Sequence, residues 1–419
     1  MTINENEIEN HNWGDYDFSK TDVEVLDTSL RDGLQDSDIR HPNLEEKLEL
    51  IDKLVKVGID AIDLAIPVAR GPHLKDAIQI ARRVPSNVIV ACLARTHEVD
   101  IKAALELAQG AGRNIEGIIF VGSSPLRRFV EGWELNYMKK WMEENVALAA
   151  QEGIIPVVAT EHTTETEPAV IKLLYRVGLE NGGKKVCIAD TTGTATPRGV
   201  QRLITFFKKE VLVGFDGVTI DWHGHNDRDL AVVNSMEAFD SGAKRVHVSV
   251  LGIGERAGNT RLESILTNLK IVGDPKRQDL TKILELSEFA SNIYRVDIPS
   301  NTPAIGDKAG RTASGIHGSA EWKMRLLSRQ GKLSLKNRRS PYSAIDQRWF
   351  GKDPEVLVGP LAGEDSVLCV LDELGIEPSP KMVQRILNSA VIQQEVLTKE
   401  KVRNIARSME DNGQNGYSK

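Results

Sequence analysis

Eight short runs of apolar and β-branched residues mark the first two-thirds of the chain: VEVLD, DAIDLAI, VIVACLA, EGIIFVG, IPVVATE, KVCIAD, VTIDWH and RVHVSV. Most are near-continuously apolar, the pattern of a strand buried on both faces. Between them lie polar or glycine-bearing loops and stretches such as LEEKLELIDKLVKVG, where apolar residues recur every three to four positions as on one face of a helix. Successive runs begin roughly thirty to forty residues apart, the length of a βα unit in a parallel sheet. Eight such units are the number at which the sheet closes on itself, whereas an open doubly wound sheet stops at about five to seven. The pattern therefore predicts an α/β fold, a (β/α)8 TIM barrel over residues 22–298, with its active site at the C-terminal ends of the strands.

The cadence stops near residue 300. SNTPAIGDKAGRTASGIHGSAEWK is rich in Gly, Ser and Thr and is followed by the basic LKNRRSPY, so 299–345 reads as a linker or lid without a packed helix. Helical periodicity returns in GEDSVLCVLDELGIEP and KMVQRILNSAVIQQEVLTKEKVRNIARSM, giving a small helical subdomain over 346–410. Residues 1–21, acidic and Asn-rich, and the tail 411–419 are expected to be disordered.

The 419 residues are 41% hydrophobic and 27% charged, ample for a large core. The net charge of −7 argues against a nucleic-acid or anionic-membrane surface, so an anionic ligand would need a local basic pocket. No apolar run approaches the roughly 18 to 20 residues of a membrane span, and the N-terminus has no basic region leading into an apolar stretch. Cys92, Cys187 and Cys369 are odd in number and far apart, and read as reduced core thiols of a cytoplasmic protein.

Candidate chemistry collects at the predicted strand ends. LDTSLRDGLQD puts Arg31, Asp32 and Gln35 just past the first strand, and TIDWHGHND ends the seventh with His223 and His225, two apart and hence on one face. A carboxylate with two imidazoles, leaving coordination positions open, is the ligand set of a catalytic divalent-metal site. Magnesium, manganese, zinc and cobalt all suit it. After the eighth strand, LGIGERAGNTRLES brings Gly252, Gly254 and Gly258 before a helix, with Glu255, Arg256 and Asn259 among them; such a loop offers backbone N–H groups or close approach to a ligand.

RDGLQ, HGHND, GIGERAGNTRLE and the later SGIHG together resemble the metal-dependent acyltransferases that include 2-isopropylmalate, homocitrate and citramalate synthases, a branch of the superfamily that also holds 3-hydroxy-3-methylglutaryl-CoA lyase. The likeness runs from about residue 22 to 400. It implies condensation of acetyl-CoA or another acyl-CoA with a 2-oxo acid, followed by thioester hydrolysis, in a homodimer. It implies Asp32, His223 and His225 as metal ligands, with Asn259 in or near their shell. Arg31 would meet the oxo acid's ketone oxygen, Thr191 its carboxylate, and Gln35 would line the site. His317 and Glu161 resemble the family's acid/base pair, either of them serving as the base. Tyr342 falls in a segment like the family's subdomain after the barrel, and Arg95 stands where the family tends to have arginine.

Three positions depart from these relatives. Asp63 stands where glutamate is common, Arg127 where many carry histidine, and Glu165 where a basic residue is frequent. An extra guanidinium at Arg127 would favour a dianionic oxo acid, oxaloacetate or a phosphonate analogue. The residues after 400 leave little room for a regulatory domain, so inhibition by leucine is not expected. The rival readings are a carbon–carbon lyase running the reverse cleavage, suggested by Leu34 in RDGLQ but lacking the lyase's cysteine in the glycine loop, and a non-catalytic paralogue.

Overall fold

The computed structural model describes residues 16–18, 21–68, 73–335 and 339–414, without the side chains of 410–414. It divides into two compact units, Tyr16–Ile298 and the residues from Pro299 onward. In the first, eight parallel strands close into a barrel in sequence order: β1 (Glu24–Asp27), β2 (Ala61–Asp63), β3 (Ile89–Arg95), β4 (Glu116–Gly122), β5 (Ile155–Glu161), β6 (Lys185–Asp190), β7 (Thr219–Gly224) and β8 (Arg245–Val248), with β8 pairing back onto β1. All eight apolar runs are these strands. Helices α1 (Leu44–Lys56), α2 (His73–Arg83), α3 (Glu98–Ala111), α4 (Pro125–Glu131), α5 (Leu135–Gln151), α6 (Pro168–Glu180), α7 (Pro197–Phe206), α8 (Ala231–Ser241) and α9 (Leu262–Ile271) follow the strands, and α10 (Ile283–Tyr294) completes the unit. Their starts carry the expected signals: Asn43 and Glu46 exchange side-chain and backbone hydrogen bonds as a capping box on α1, and Ser124 and Thr196 cap α4 and α7 ahead of a first-turn proline.

Alternation along the strands sorts the barrel interior into layers. At the N-terminal end lies a charged layer, in which Arg245 reaches Glu116 and Asp221 at 2.5 Å each and Lys185 reaches Glu116 at 2.6 Å. Above it Leu26, Ala61, Ala91, Ile118, Val157, Ala159 and Cys187 form an apolar cluster against which Leu93 and Phe120 pack. The polar groups of the candidate site stand over this cluster, so the fold seals one end of the barrel and opens the other.

Two expectations about the chain's ends need correction. Residues 1–15 and 19–20 of the proposed leader lie outside the described residues, but Phe18 is buried, its N–H donates to Val272 O at 3.0 Å, and the Tyr16 hydroxyl donates to Glu237 Oε2 at 3.2 Å. The two aromatic rings give this short stretch an apolar anchor that the surrounding Asn and Asp residues mask in composition. At the other end, α14 (Lys399–Gln414) extends into the segment expected to be disordered; 415–419 lie outside the described residues.

The second unit also differs from its reading as a linker. Gly315–Arg329 is a fifteen-residue helix, α11, and it carries His317. It packs on α12 (Glu364–Glu373) through its glycines: a Cβ at Gly318 would collide with Ser366, and one at Gly315 would come within 2.9 Å of Gly363 N. The glycines that suggested a loop are close-approach points between helices. α12, α13 (Pro380–Gln393) and α14 bury Val367, Val370, Leu371, Met382, Ile386, Leu397, Val402 and Ala406 as a separate core. No described helix is long and apolar enough to cross a membrane.

Candidate active site

Asp32, His223 and His225 each present a ligand atom, and these atoms lie within 4.8 Å of one another. His223 ends the inward row of β7, and His225, one residue past the strand, is fixed by a bridge to Asn259. Their Nε2 atoms stand 3.2 Å apart and 3.7 and 3.9 Å from Asp32 Oδ2. All three residues are buried. Asn259 Nδ2 donates to Asp32 Oδ1 at 2.7 Å and to Ile253 O at 3.0 Å, while Asn259 Oδ1 is buried with no hydrogen-bond partner.

Electrostatics suit a cation here. Burial opposes ionisation of Asp32, but Arg31, the two imidazoles and the Asn259 amide outweigh it and hold the carboxyl well below its usual range. Burial, then the nearness of His225, pushes His223 well below the usual imidazole range; burial also lowers His225. A carboxylate and two neutral imidazoles are the protonation states a divalent metal requires. The donors and the unpartnered Asn259 oxygen fit such an ion, which makes this a possible metal site.

The glycine loop allows the donors to converge. A Cβ on Gly254 would collide with Asn259 Nδ2 and lie 2.8 Å from Asp32 Oδ1. Arg256 ties the same loop to its neighbours, with Nε 2.8 Å from Asp227 Oδ1 and Nη2 2.5 Å from Thr191 O.

A cavity of about 290 Å³ opens beside the three ligands. Arg31, Gln35, Glu161, Thr191 and Arg256 line its polar part, and Leu93, Ile118, Phe120, Ala159, Cys187 and Ala189 its apolar part. Arg31 is buried, donating to Asp32 Oδ2 at 2.6 Å and to Asp63 Oδ2 at 2.7 Å. Asp63 thus acts on the guanidinium from beneath and does not itself line the cavity. Thr191 Oγ1 accepts from His162 N at 2.8 Å.

Other residues singled out in the sequence lie elsewhere. Arg95 is half exposed and turns to Asp100, with two contacts of 2.9 Å, rather than to the cavity. Arg127 pairs with Glu131 at 2.6 Å and stands 3.7 Å from Glu161, so carboxylates already match the positive charge on which the expectation of a dianionic oxo acid rested. Glu165 is exposed among threonines. His317 and Tyr342 belong to the second unit, where their rings stack at 3.8 Å and Thr312 Oγ1 lies 3.3 Å from His317 Nδ1.

One cavity residue escaped the sequence reading. His247, buried on β8, has its ring 5.4 Å from that of His223 and its Nε2 3.4 Å from Asp221 Oδ2. The inward alternation of RVHVSV carried the signal, but no partner near it in sequence identified its role.

The HMGL-like family model matches residues 22–290. A homocitrate synthase of Methanopyrus kandleri is 30% identical over 369 residues, covering 87% of this chain and 86% of that one. A 2-isopropylmalate synthase of Halothermothrix orenii is 31% identical over 379 residues, covering 87% and 68%. Among solved structures, the HMG-CoA lyase of Bacillus subtilis matches 68% of this chain and 97% of its own with a TM-score of 0.57 at 21% identity, a likeness of fold.

Proposed function

Because the chain belongs to the HMGL-like family, we propose that its barrel cavity joins an acyl-CoA, acetyl-CoA in the simplest case, to a 2-oxo acid and that hydrolysis of the thioester then releases CoA and a 2-hydroxy-2-alkyl dicarboxylic acid. The observation that carries this reading is the convergence of Asp32, His223 and His225 beside the buried guanidinium of Arg31 at the mouth of one cavity.

The chemistry follows from the donors. Asp32, His223 and His225, with Asn259 beside them, would hold a divalent cation, which would supply Lewis-acid polarisation of a ketone and stabilisation of negative charge on its oxygen. Arg31, fixed by Asp32 and Asp63, aims a further positive charge at the same oxygen at no reorganisation cost. Thr191 is the candidate anchor for the oxo acid's carboxylate. Glu161, on the cavity wall, and His317, stacked on Tyr342, are the candidate bases for the proton of the acyl methyl group. The carbon so deprotonated attacks the ketone carbon, the ketone oxygen takes up a proton, and water cleaves the thioester.

Among oxo acids, the cavity favours a monocarboxylate with a short apolar side chain. Its deeper wall is Leu93, Ile118, Phe120, Ala159, Cys187 and Ala189, and its second lining guanidinium, Arg256, is matched by Asp227. A thiol-release assay with acetyl-CoA, about a dozen 2-oxo acids and magnesium, manganese, zinc or cobalt tests the proposal. Release with 2-oxo acids, strongest for small apolar ones, is the expected outcome; acetoacetate formation from a hydroxyacyl-CoA without thiol release under any combination would replace it with the lyase reading. The same reading expects a homodimer in the cytoplasm, and light scattering on the purified protein checks its mass.

A further inference from the structure

The loop between β8 and α9 contains a residue in a costly conformation. Leu251 has a φ of 59°, in the left-handed region where a branched side chain crowds its own backbone. Such a residue persists only when its surroundings hold it there. Two buried groups do so. Glu263, in the first turn of α9 and fully buried, accepts the Leu251 N–H on both carboxylate oxygens at 3.1 and 3.2 Å, and is itself held by Ser287 Oγ of α10 at 2.8 Å. The preceding N–H, of Val250, donates to Ser29 Oγ at 2.8 Å, and Asp27 fixes Ser29 through both its N–H and its hydroxyl. No basic side chain lies within ion-pair distance of Glu263 among the described residues; burial pushes its carboxyl above the usual range, and its hydrogen bonds and the charge of nearby Arg261 only partly offset this. A buried carboxyl with no cation in contact is expensive to keep, so its two bonds to one amide call for a reason.

The reason lies in the two residues that follow. Gly252 O accepts the backbone N–H of Asn259 at 3.0 Å, and Ile253 O accepts Asn259 Nδ2, also at 3.0 Å. That amide nitrogen is the one that holds Asp32 Oδ1. The turn at Leu251 therefore sets two carbonyls, the carbonyls set Asn259, and Asn259 sets Asp32.

We propose that Glu263 is a positioning residue for the metal centre, holding Leu251 in its left-handed turn so that Asn259 and Asp32 are fixed before any ion arrives. This inference rests on the metal reading given above. Without the anchor the loop relaxes toward ordinary backbone geometry and the Asn259–Asp32 pair loses its register against His223 and His225.

Binding of Mn2+ alone to the full-length protein, followed through the electron paramagnetic resonance signal of the free ion, tests it together with thermal melting. Glu263→Ala is expected to weaken Mn2+ binding at least tenfold. Glu263→Gln keeps an oxygen for the Leu251 N–H and is expected to stay within threefold of wild type. Adding Leu251→Gly to Glu263→Ala is expected to restore most of the affinity, because glycine adopts the turn without help. Leu251→Val leaves every carboxylate in place and should weaken binding at least tenfold; it serves if Glu263→Ala does not fold. A folded Glu263→Ala or Leu251→Val protein with wild-type Mn2+ affinity overturns the inference. So does Glu263→Gln as damaged as Glu263→Ala with no rescue by Leu251→Gly, since charge rather than the amide anchor would then matter. A wild-type protein that binds none of the four metals fails one step earlier, at the metal reading itself, and takes this inference with it.

Discussion

The two ends of the barrel interior are built from the same kinds of residue and do opposite work. At the N-terminal end, Arg245 and Lys185 touch Glu116 and Asp221 at 2.5 to 2.6 Å. At the C-terminal end, two imidazole nitrogens face each other across 3.2 Å, the nearest oxygen of Asp32 is 3.7 to 3.9 Å away, and the Asn259 oxygen has no partner. At the lower end cations and anions touch, although Asp221 Oδ1 and Arg245 Nη1 keep no hydrogen-bond partner. At the upper end Asp32 touches Arg31, but the two imidazoles and the carboxylate are aimed at a common point and stop short of one another, with room for an ion between them. Buried polarity alone therefore does not mark a site. Groups left short of one another do.

The sharpest way to break this comparison is to remove a donor from the upper end. Asp32→Asn or His225→Ala should lower turnover on the order of a thousandfold, the scale of losing an electrophile at a developing oxyanion. Bound metal measured by mass spectrometry should fall with it, while the melting temperature stays near that of the wild type. Equal loss of stability would make these residues as structural as Arg245.

Removing Arg245 should do the reverse. Arg245→Ala strands Glu116 and Asp221 in the interior, which costs about 3–5 kcal/mol of stability in chemical denaturation. The protein that remains folded should bind metal in wild-type stoichiometry.

A smaller effect depends on pH. Burial pushes the Asp27 carboxyl up from 3.8 to about 7, its hydrogen bonds to Ser29 only partly opposing this. An acid raised in the folded state is destabilising once ionised: the penalty is absent below the unfolded value, grows as pH rises from about 4 to 7, and is full above 7. Asp27→Asn should therefore raise the melting temperature at pH 8 and change it little at pH 4. The gain falls short of the roughly 4 kcal/mol in the shift itself, because the two Ser29 donors use separate carboxylate oxygens and an amide keeps only one acceptor oxygen for them.

The smallest change is expected at the rim. Arg127→Ala, which removes an exposed helical pair with Glu131, should cost less than about 0.5 kcal/mol and alter the ratio of kcat/KM between dianionic and monoanionic oxo acids less than threefold. A tenfold fall in that ratio would restore Arg127 as a selectivity residue.

What was legible in the sequence followed from periodicity. The eight strands could be read because continuous apolar runs have few alternatives once their spacing matches βα units, and His223 and His225 share a face because strand residues two apart must. What was not legible depended on partners distant along the chain. Nothing in DAIDLAIP says that Asp63 turns to Arg31, and nothing in TIDWH or RVHVSV pairs His247 with Asp221. Arg95 is a different case: its partner Asp100 lies close in the chain, but the turn of the Arg95 side chain away from the strand end could not be read from periodicity. Helix α11 was missed because Gly315 and Gly318, read locally as breakers, serve contacts to Gly363 and Ser366 about fifty residues on.

The charged layer beneath the apolar cluster has a kinetic consequence. Arg245, Glu116 and Asp221 fill the barrel's lower end, and the cavity lies toward the C-terminal strand ends. If both reactants of the proposed condensation enter from the strand ends, the smaller oxo acid is expected to bind first, with the bulkier thioester closing over it. Steady-state kinetics should then show ordered addition, with CoA the first product out.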